Sequence, residues 1–179
     1  MSSQGDLEVC VVGAGVVGLT TALLLQNEFP NANLSIVANL FNQETTSDGA
    51  AGLFYPGSSY SGPTLEITKK WISDSYSYYD GLRISSEGER AGVFPISGYK
   101  FSRFSPKEVM NSPVSTEDQI INHYMEEVAP VFRYATEEEL KLCPGNWKYG
   151  TYCSTLGIEG RLYLPWALSS MVRGDYIIY

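Results

Sequence analysis

The string Gly13-Ala14-Gly15-Val16-Val17-Gly18 follows one apolar run and opens another, and that order leaves few folds available. Glu8 to Val12 is β-branched and flanked by glycine, the pattern of a short buried strand. Gly13 to Gly18 then reads as a turn. Leu19 to Glu28 has the composition of a helix that stops near Pro30, and Leu34 to Ala38 is a second apolar strand. Strand, helix and strand within so short a span predict the βαβ unit of a parallel sheet.

Each glycine has a stated task in such a unit. Gly13 permits the tight turn, Gly15 lets backbone approach a pyrophosphate, and Gly18 lets helix and strand pack closely. The helix start adds unpaired N–H groups and a partial positive charge, which suit a diphosphate. An acidic residue is expected about twenty positions on, at the end of the second strand, to hold a ribose hydroxyl. Asn39 stands there, and an amide makes a weaker hydrogen bond than a carboxylate. No Lys or Arg occurs between Gly18 and Lys69, which disfavours a 2′-phosphate and hence NADP. FAD and NAD both remain.

A third stretch bears on that choice. Thr45-Thr46-Ser47-Asp48-Gly49-Ala50-Ala51-Gly52-Leu53 places three hydroxyls in a row, able to bond phosphate or ribitol oxygens. Its Ala-Ala-Gly run keeps side chains away from any flat ring lying on the backbone. The same residues would equally make a polar surface loop.

Downstream, Pro63 suits the first turn of a helix running toward Tyr79, with Ile67, Trp71 and Tyr78 on one face. Ser85 to Gly92 reads as a charged loop, and Val93 to Phe104 as strand material split by Ser97-Gly98. Ser105 to Pro113 is irregular, and Thr116 onward has helical-turn character. Thr136 and Glu139 have capping-box spacing for a short helix closed by Pro144. Tyr149 to Leu156 reads as a strand. Leu162 to Val172 has helical apolar spacing, with Pro165 acceptable only in the first turn, Arg173 near the carbonyl end and Gly174 as the cap. Asp175 to Tyr179 begins another strand.

Charge and composition exclude several classes. A net charge of −8 without a Lys/Arg run repels a nucleic-acid backbone. Cys10, Cys143, Cys153 and the single histidine, His123, lack metal-site spacing, so no metal is expected. An odd cysteine count argues against a disulfide framework and for a reducing compartment, and Cys10 reads as a small buried hydrophobe. Val9 to Leu25 is apolar, but acidic residues precede it and glycines interrupt it, so neither a signal peptide nor a membrane span is expected.

Val11 to Leu23 and Thr45 to Leu53 together resemble the two N-terminal FAD-binding segments of the D-amino-acid oxidase and D-aspartate oxidase family. Ile96-Ser97-Gly98-Tyr99, Phe132 to Leu140 and Ile158 to Trp166 match that family in the same order. The resemblance implies an α/β fold: a Rossmann-like FAD-binding domain with a parallel sheet, plus part of an interleaved mixed-sheet substrate domain. Residues 7–62 would form the dinucleotide-binding unit and flavin loop, 63–156 part of the substrate or interface region, and 157–179 the return to the FAD-binding fold.

By the same resemblance Gly13, Ala14, Gly15, Val16, Val17 and Gly18 hold the FAD diphosphate. Asn39 and Leu40 contact the adenosine ribose, with Asn39 departing from the family's usual aspartate. Thr45, Thr46 and Ser47 bond the cofactor, and Gly52 and Leu53 approach the flavin. The implied activity is FAD-dependent oxidative deamination of D-amino acids by O2, by an enzyme that is peroxisomal or cytoplasmic and compatible with a homodimer. The substrate-anchoring arginine and active-site tyrosines of the family lie downstream of what is present, so no catalytic residue is assigned and a C-terminally truncated, inactive fragment is expected. Two alternatives stand beside this: a non-catalytic FAD-binding product, and another amine-oxidising flavoprotein such as a sarcosine or glycine oxidase.

Overall fold

A computed structural model describes residues 7–57, 62–105, 107–108, 123–171 and the backbone of 175–178. Two compact units share the chain. The first comprises residues 1–52, 82–93 and 158–179, the second 53–81 and 94–157.

The first unit is built on β1 (Glu8–Ala14), α1 (Val16–Glu28) and β2 (Asn33–Phe41), followed late in the chain by α4 (Gly160–Ser169) and β6 (Asp175–Ile178). β1 and β6 each pair in parallel with β2, giving the order β1-β2-β6. The expected βαβ unit is present, with longer elements than the sequence suggested because β1 and α1 extend into the glycine motif. Val11 on β1 and Leu34, Ile36 and Ala38 on β2 are buried, as are Leu19, Ala22 and Leu23 of α1 and Tyr163, Leu164 and Ala167 of α4. Alternation explains the choice, since successive strand side chains point to opposite faces.

The same alternation corrects the reading of Cys10, which is exposed rather than buried. It shares a sheet face with Glu8 and Val12, and Val12 is 81% exposed. An apolar run alone does not reveal which of its residues take the open face. Pro165 also departs from expectation, because α4 begins at Gly160 and carries the proline beyond its first turn. Arg173 and Gly174 lie outside the described residues.

The second unit holds most of α2 (Leu65–Ile84), most of β3 (Val93–Ser102), α3 (His123–Val128), β4 (Val131–Tyr134) and β5 (Tyr149–Ile158). Its sheet runs β3-β5-β4, with β4 and β5 antiparallel. β3 passes through Ser97-Gly98 unbroken. Ser97 bonds Ser154 on β5 through their hydroxyls (2.8 Å), and nothing crowds Gly98. On α2 the buried positions are Thr68 and Ile72, whereas Trp71 of the expected apolar face is 55% exposed. Phe54 packs edge-on against Tyr76 and Tyr79, which turns the helix to that side. The capping box forms as its spacing predicts: Thr136 N–H donates to Glu139 Oε2 (2.8 Å) and Glu139 N–H to Thr136 Oγ1 (3.2 Å). The helical turn expected from Thr116 falls largely outside the described residues. Among the described residues, no helix is long and apolar enough to cross a membrane, and no side chains cluster for a metal.

Candidate functional site

The first unit gathers the glycine motif and the hydroxyl loop at the carboxyl ends of β1 and β2. Gly13 has φ +105°, a conformation that side-chain-bearing residues resist. A Cβ on Gly18 would stand 2.0 Å from the Gly13 carbonyl oxygen. Helix and strand therefore touch backbone to backbone at the turn, the approach that the glycine spacing predicts.

α1 starts with Gly15 as its N-cap, which offers no side chain, and no acidic residue lies in its first turn. The first backbone bond across that cap runs from Leu19 N–H to the Gly15 carbonyl (3.0 Å). The amides of Val16, Val17 and Gly18 precede it and have no intrahelical acceptor. Val16 N–H donates to Ser47 Oγ (3.0 Å), a residue thirty-one positions away. A Cβ on Gly15 would come within 2.9 Å of the same oxygen. Ser47, singled out as one of three hydroxyls, is thus seated on the helix start.

Its neighbours are fixed locally. Thr45 Oγ1 donates to the Asn42 carbonyl (2.8 Å), and Asp48 N–H to the Thr45 carbonyl (3.1 Å). Thr46 is exposed. Gly52 adopts φ +67°, and a Cβ there would stand 2.0 Å from the Ile158 carbonyl oxygen. Asn39 and Leu40 occupy the carboxyl end of β2 and are both exposed. Val16 is half-buried, Ala14 buried, and Val17 77% exposed on the first turn.

Asn42 was not singled out in the sequence. It has φ +48°, and its buried Oδ1 has no hydrogen-bond partner among the described residues. A ligand hydroxyl or amino group would supply that missing donor. Together with unpaired helix amides and a glycine turn free of carboxylates, these features fit an anionic dinucleotide such as FAD. Gly160 and Arg161 were also missed as contributors: Arg161 Nε lies 3.5 Å from Asp48 Oδ2. The sequence signal for that contact is a glycine, Gly160, at the first position of a helix.

Leu53 is the first residue of the second unit and pairs with Gly157 in an isolated antiparallel bridge. It lines a cavity of about 380 Å³ with Tyr55, Ile96, Lys100, Thr155 and Cys153. Lys100 Nζ sits 5.4 Å from the centre of the Tyr55 ring. Burial pushes the Cys153 thiol above its usual range. A second, more open hollow of about 490 Å³ is lined by Phe54, Trp71 and Ile72 among others.

Several other ionisable residues have local partners. Arg133 forms a fork on Glu139 (2.8 and 2.7 Å) and stacks over Tyr152 (4.7 Å to the ring centre). The Arg133 guanidinium, with the Tyr99 hydroxyl and Thr136 N–H, holds the Glu139 carboxyl far below the usual range. His123, exposed at the start of α3, faces Glu126 at 3.5 Å.

Comparison with known proteins is consistent with this arrangement. Human D-aspartate oxidase is 32% identical over 167 residues, covering 93% of this chain and 45% of its own length. D-amino acid oxidase of Dugesia ryukyuensis is 26% identical, covering 89% of this chain and 43% of its own. The chain thus spans a little under half the length of these curated relatives. Among solved structures, glycine oxidase from Geobacillus kaustophilus superposes with a TM-score of 0.60 at 16% identity, over 97% of this chain and 47% of that one. Iminodiacetate oxidase from Chelativorans sp. BNC1 gives 0.61 at 18%, over 95% and 46%. At such identity they establish a shared fold only. The model of the FAD dependent oxidoreductase family, DAO, matches residues 8–173, and the chain belongs to that family.

Proposed function

We propose that this chain is the FAD-holding portion of an oxidase that deaminates D-amino acids, converting a D-amino acid, O2 and water to a 2-oxo acid, ammonia and hydrogen peroxide. Bound FAD supplies the electron acceptor for the substrate and the route by which O2 is reduced. The chain's own residues bind and orient that group. The Val17 and Gly18 amides face the diphosphate with helix-end positive charge behind them, and Ser47 presents its hydroxyl beside them. Thr45 and Thr46 extend the hydroxyl row, Asn39 and Leu40 take the ribose end, and Gly52 and Leu53 lead to the flavin end. In this reading residues 63–156 belong to the substrate or interface region, and the acid–base and substrate-anchoring groups are assigned to none of the residues described.

The observation that carries the reading is the docking of Ser47 on the Val16 amide, which sets two distant FAD-type motifs against one helix start. Titration of the protein with FAD, followed by quenching of flavin fluorescence, tests it. Saturable uptake at micromolar concentration is expected, and well-folded protein that stays colourless would sink the proposal. Peroxide release is then assayed with D-aspartate, D-alanine and glycine. FAD uptake with little or no turnover is the outcome expected of this chain, because no catalytic group is assigned to the residues described. Robust peroxide release with a D-amino acid would overturn that expectation, and preference for glycine would favour a different amine oxidase.

A further inference from the structure

The hydroxyl loop is held in place from the far end of the chain. A Cβ on Gly160 would stand 2.3 Å from the Ser47 carbonyl oxygen and 3.4 Å from Asp48 Cα, so the backbone of α4's first residue lies directly on the loop. One residue on, Arg161 Nε is 3.5 Å from Asp48 Oδ2, on a side chain only 11% exposed. At the other end of the loop, Ile158 N–H donates to the Gly52 carbonyl (2.8 Å). α4 in turn is tied to α1 by the 2.6 Å bond between the Tyr163 and Thr20 hydroxyls, with Tyr163 fully buried. Residues 158–161 therefore grip both ends of the loop from Ser47 to Gly52, and their helix is fixed to the helix whose start Ser47 caps.

We infer that Gly160 and Arg161 are positioning residues for FAD, acting through Ser47; the inference rests on the FAD reading above. Ser47 Oγ accepts the Val16 N–H, so its own O–H proton is left to donate outward, toward whatever anion the helix start holds. The placement of that donor is set on one side by the helix amide and on the other by the loop backbone under Gly160. Hydrogen bonds weaken steeply once stretched or misaligned. A loop released from Gly160 or Arg161 therefore loses the Val16 contact and the aim of the hydroxyl together. Neither residue touches the cofactor in this account.

The test compares FAD dissociation constants with thermal midpoints measured without FAD. Ser47→Ala raises the dissociation constant about tenfold, and Ser47→Thr, which keeps the hydroxyl, restores most of it. Arg161→Gln raises it about threefold. Its midpoint without FAD moves little, since the Arg161 side chain is 73% exposed. In the Ser47→Ala background Arg161→Gln adds nothing, because both act on one hydroxyl. Gly160→Ala weakens uptake further still; should it fail to fold, the arginine series decides. Additive effects of Arg161→Gln and Ser47→Ala, or FAD uptake that Arg161→Gln leaves unchanged, overturn the inference alone. Failure of the unaltered protein to take up FAD overturns the cofactor reading and this one with it.

Discussion

Gly13, Gly15 and Gly18 sit within six residues, yet a methyl group at each would do different damage. At Gly13 a Cβ meets nothing within 4 Å, and the cost is conformational, from φ +105°. Gly13→Ala should therefore lose about 1–3 kcal/mol in urea unfolding. At Gly18 the obstacle is the Gly13 carbonyl oxygen, 2.0 Å away, and backbone must move. Gly18→Ala should cost about 3 kcal/mol or more. At Gly15 the obstacle is only Ser47 Oγ at 2.9 Å, which can rotate aside. Gly15→Ala should cost only about 1 kcal/mol in urea unfolding, the loss of one hydrogen bond, while weakening FAD uptake, since Ser47 must give up the Val16 amide to make room. Equal losses of stability in all three variants would refute this division of roles.

Among the elements, α4 and the Thr136–Glu139 turn make separable predictions. Pro165 sits beyond the first turn of α4, is exposed, and gives no N–H to the Arg161 carbonyl. Pro165→Ala should raise stability by about 1–3 kcal/mol in urea unfolding, and a loss would show that the proline is needed where it stands. Glu139 ties β4 to the turn through Arg133. Its folded pKa lies below its ordinary value of 4.5, so its contribution is present above that pH and is lost as pH falls below it. Between pH 6 and pH 3 the urea midpoint should fall further for the unaltered protein than for Glu139→Gln.

What the sequence disclosed at this scale follows from how local each cause is. The glycine turn, the capping box and the strand at Asp175 are specified within a few residues, and all were legible. The open face of β1 was not, because Val12 and Cys10 are as apolar as buried Val11 and only the sheet's covering separates them. The α2 face was misjudged because Phe54, distant in sequence, selects which side of the helix is buried. Seating of Ser47 on Val16 needs a contact across thirty-one positions, and Gly160 on Ser47 a longer one; neither has a periodicity to betray it.

For the whole molecule, the path of the chain matters more than any single contact. It passes from one unit to the other at residues 52–53, 81–82, 93–94 and 157–158, so neither unit is a continuous stretch. The glycine motif lies in the first fifty residues, but the fully buried Tyr163, Leu164 and Ala167 that complete its core come from α4. A chain ending at residue 157 would retain every residue assigned to the cofactor and still lack those three side chains, the Thr20–Tyr163 bond and the grip on the hydroxyl loop. Burying a large apolar side chain contributes about 1.5–3 kcal/mol, so losing this group removes a large part of a typical domain's net stability. Such a truncation should lose cooperative unfolding and micromolar FAD uptake together, as read by circular dichroism and flavin fluorescence. Retention of both would mean that residues 1–157 form the cofactor unit unaided, and that α4 is an accessory to it.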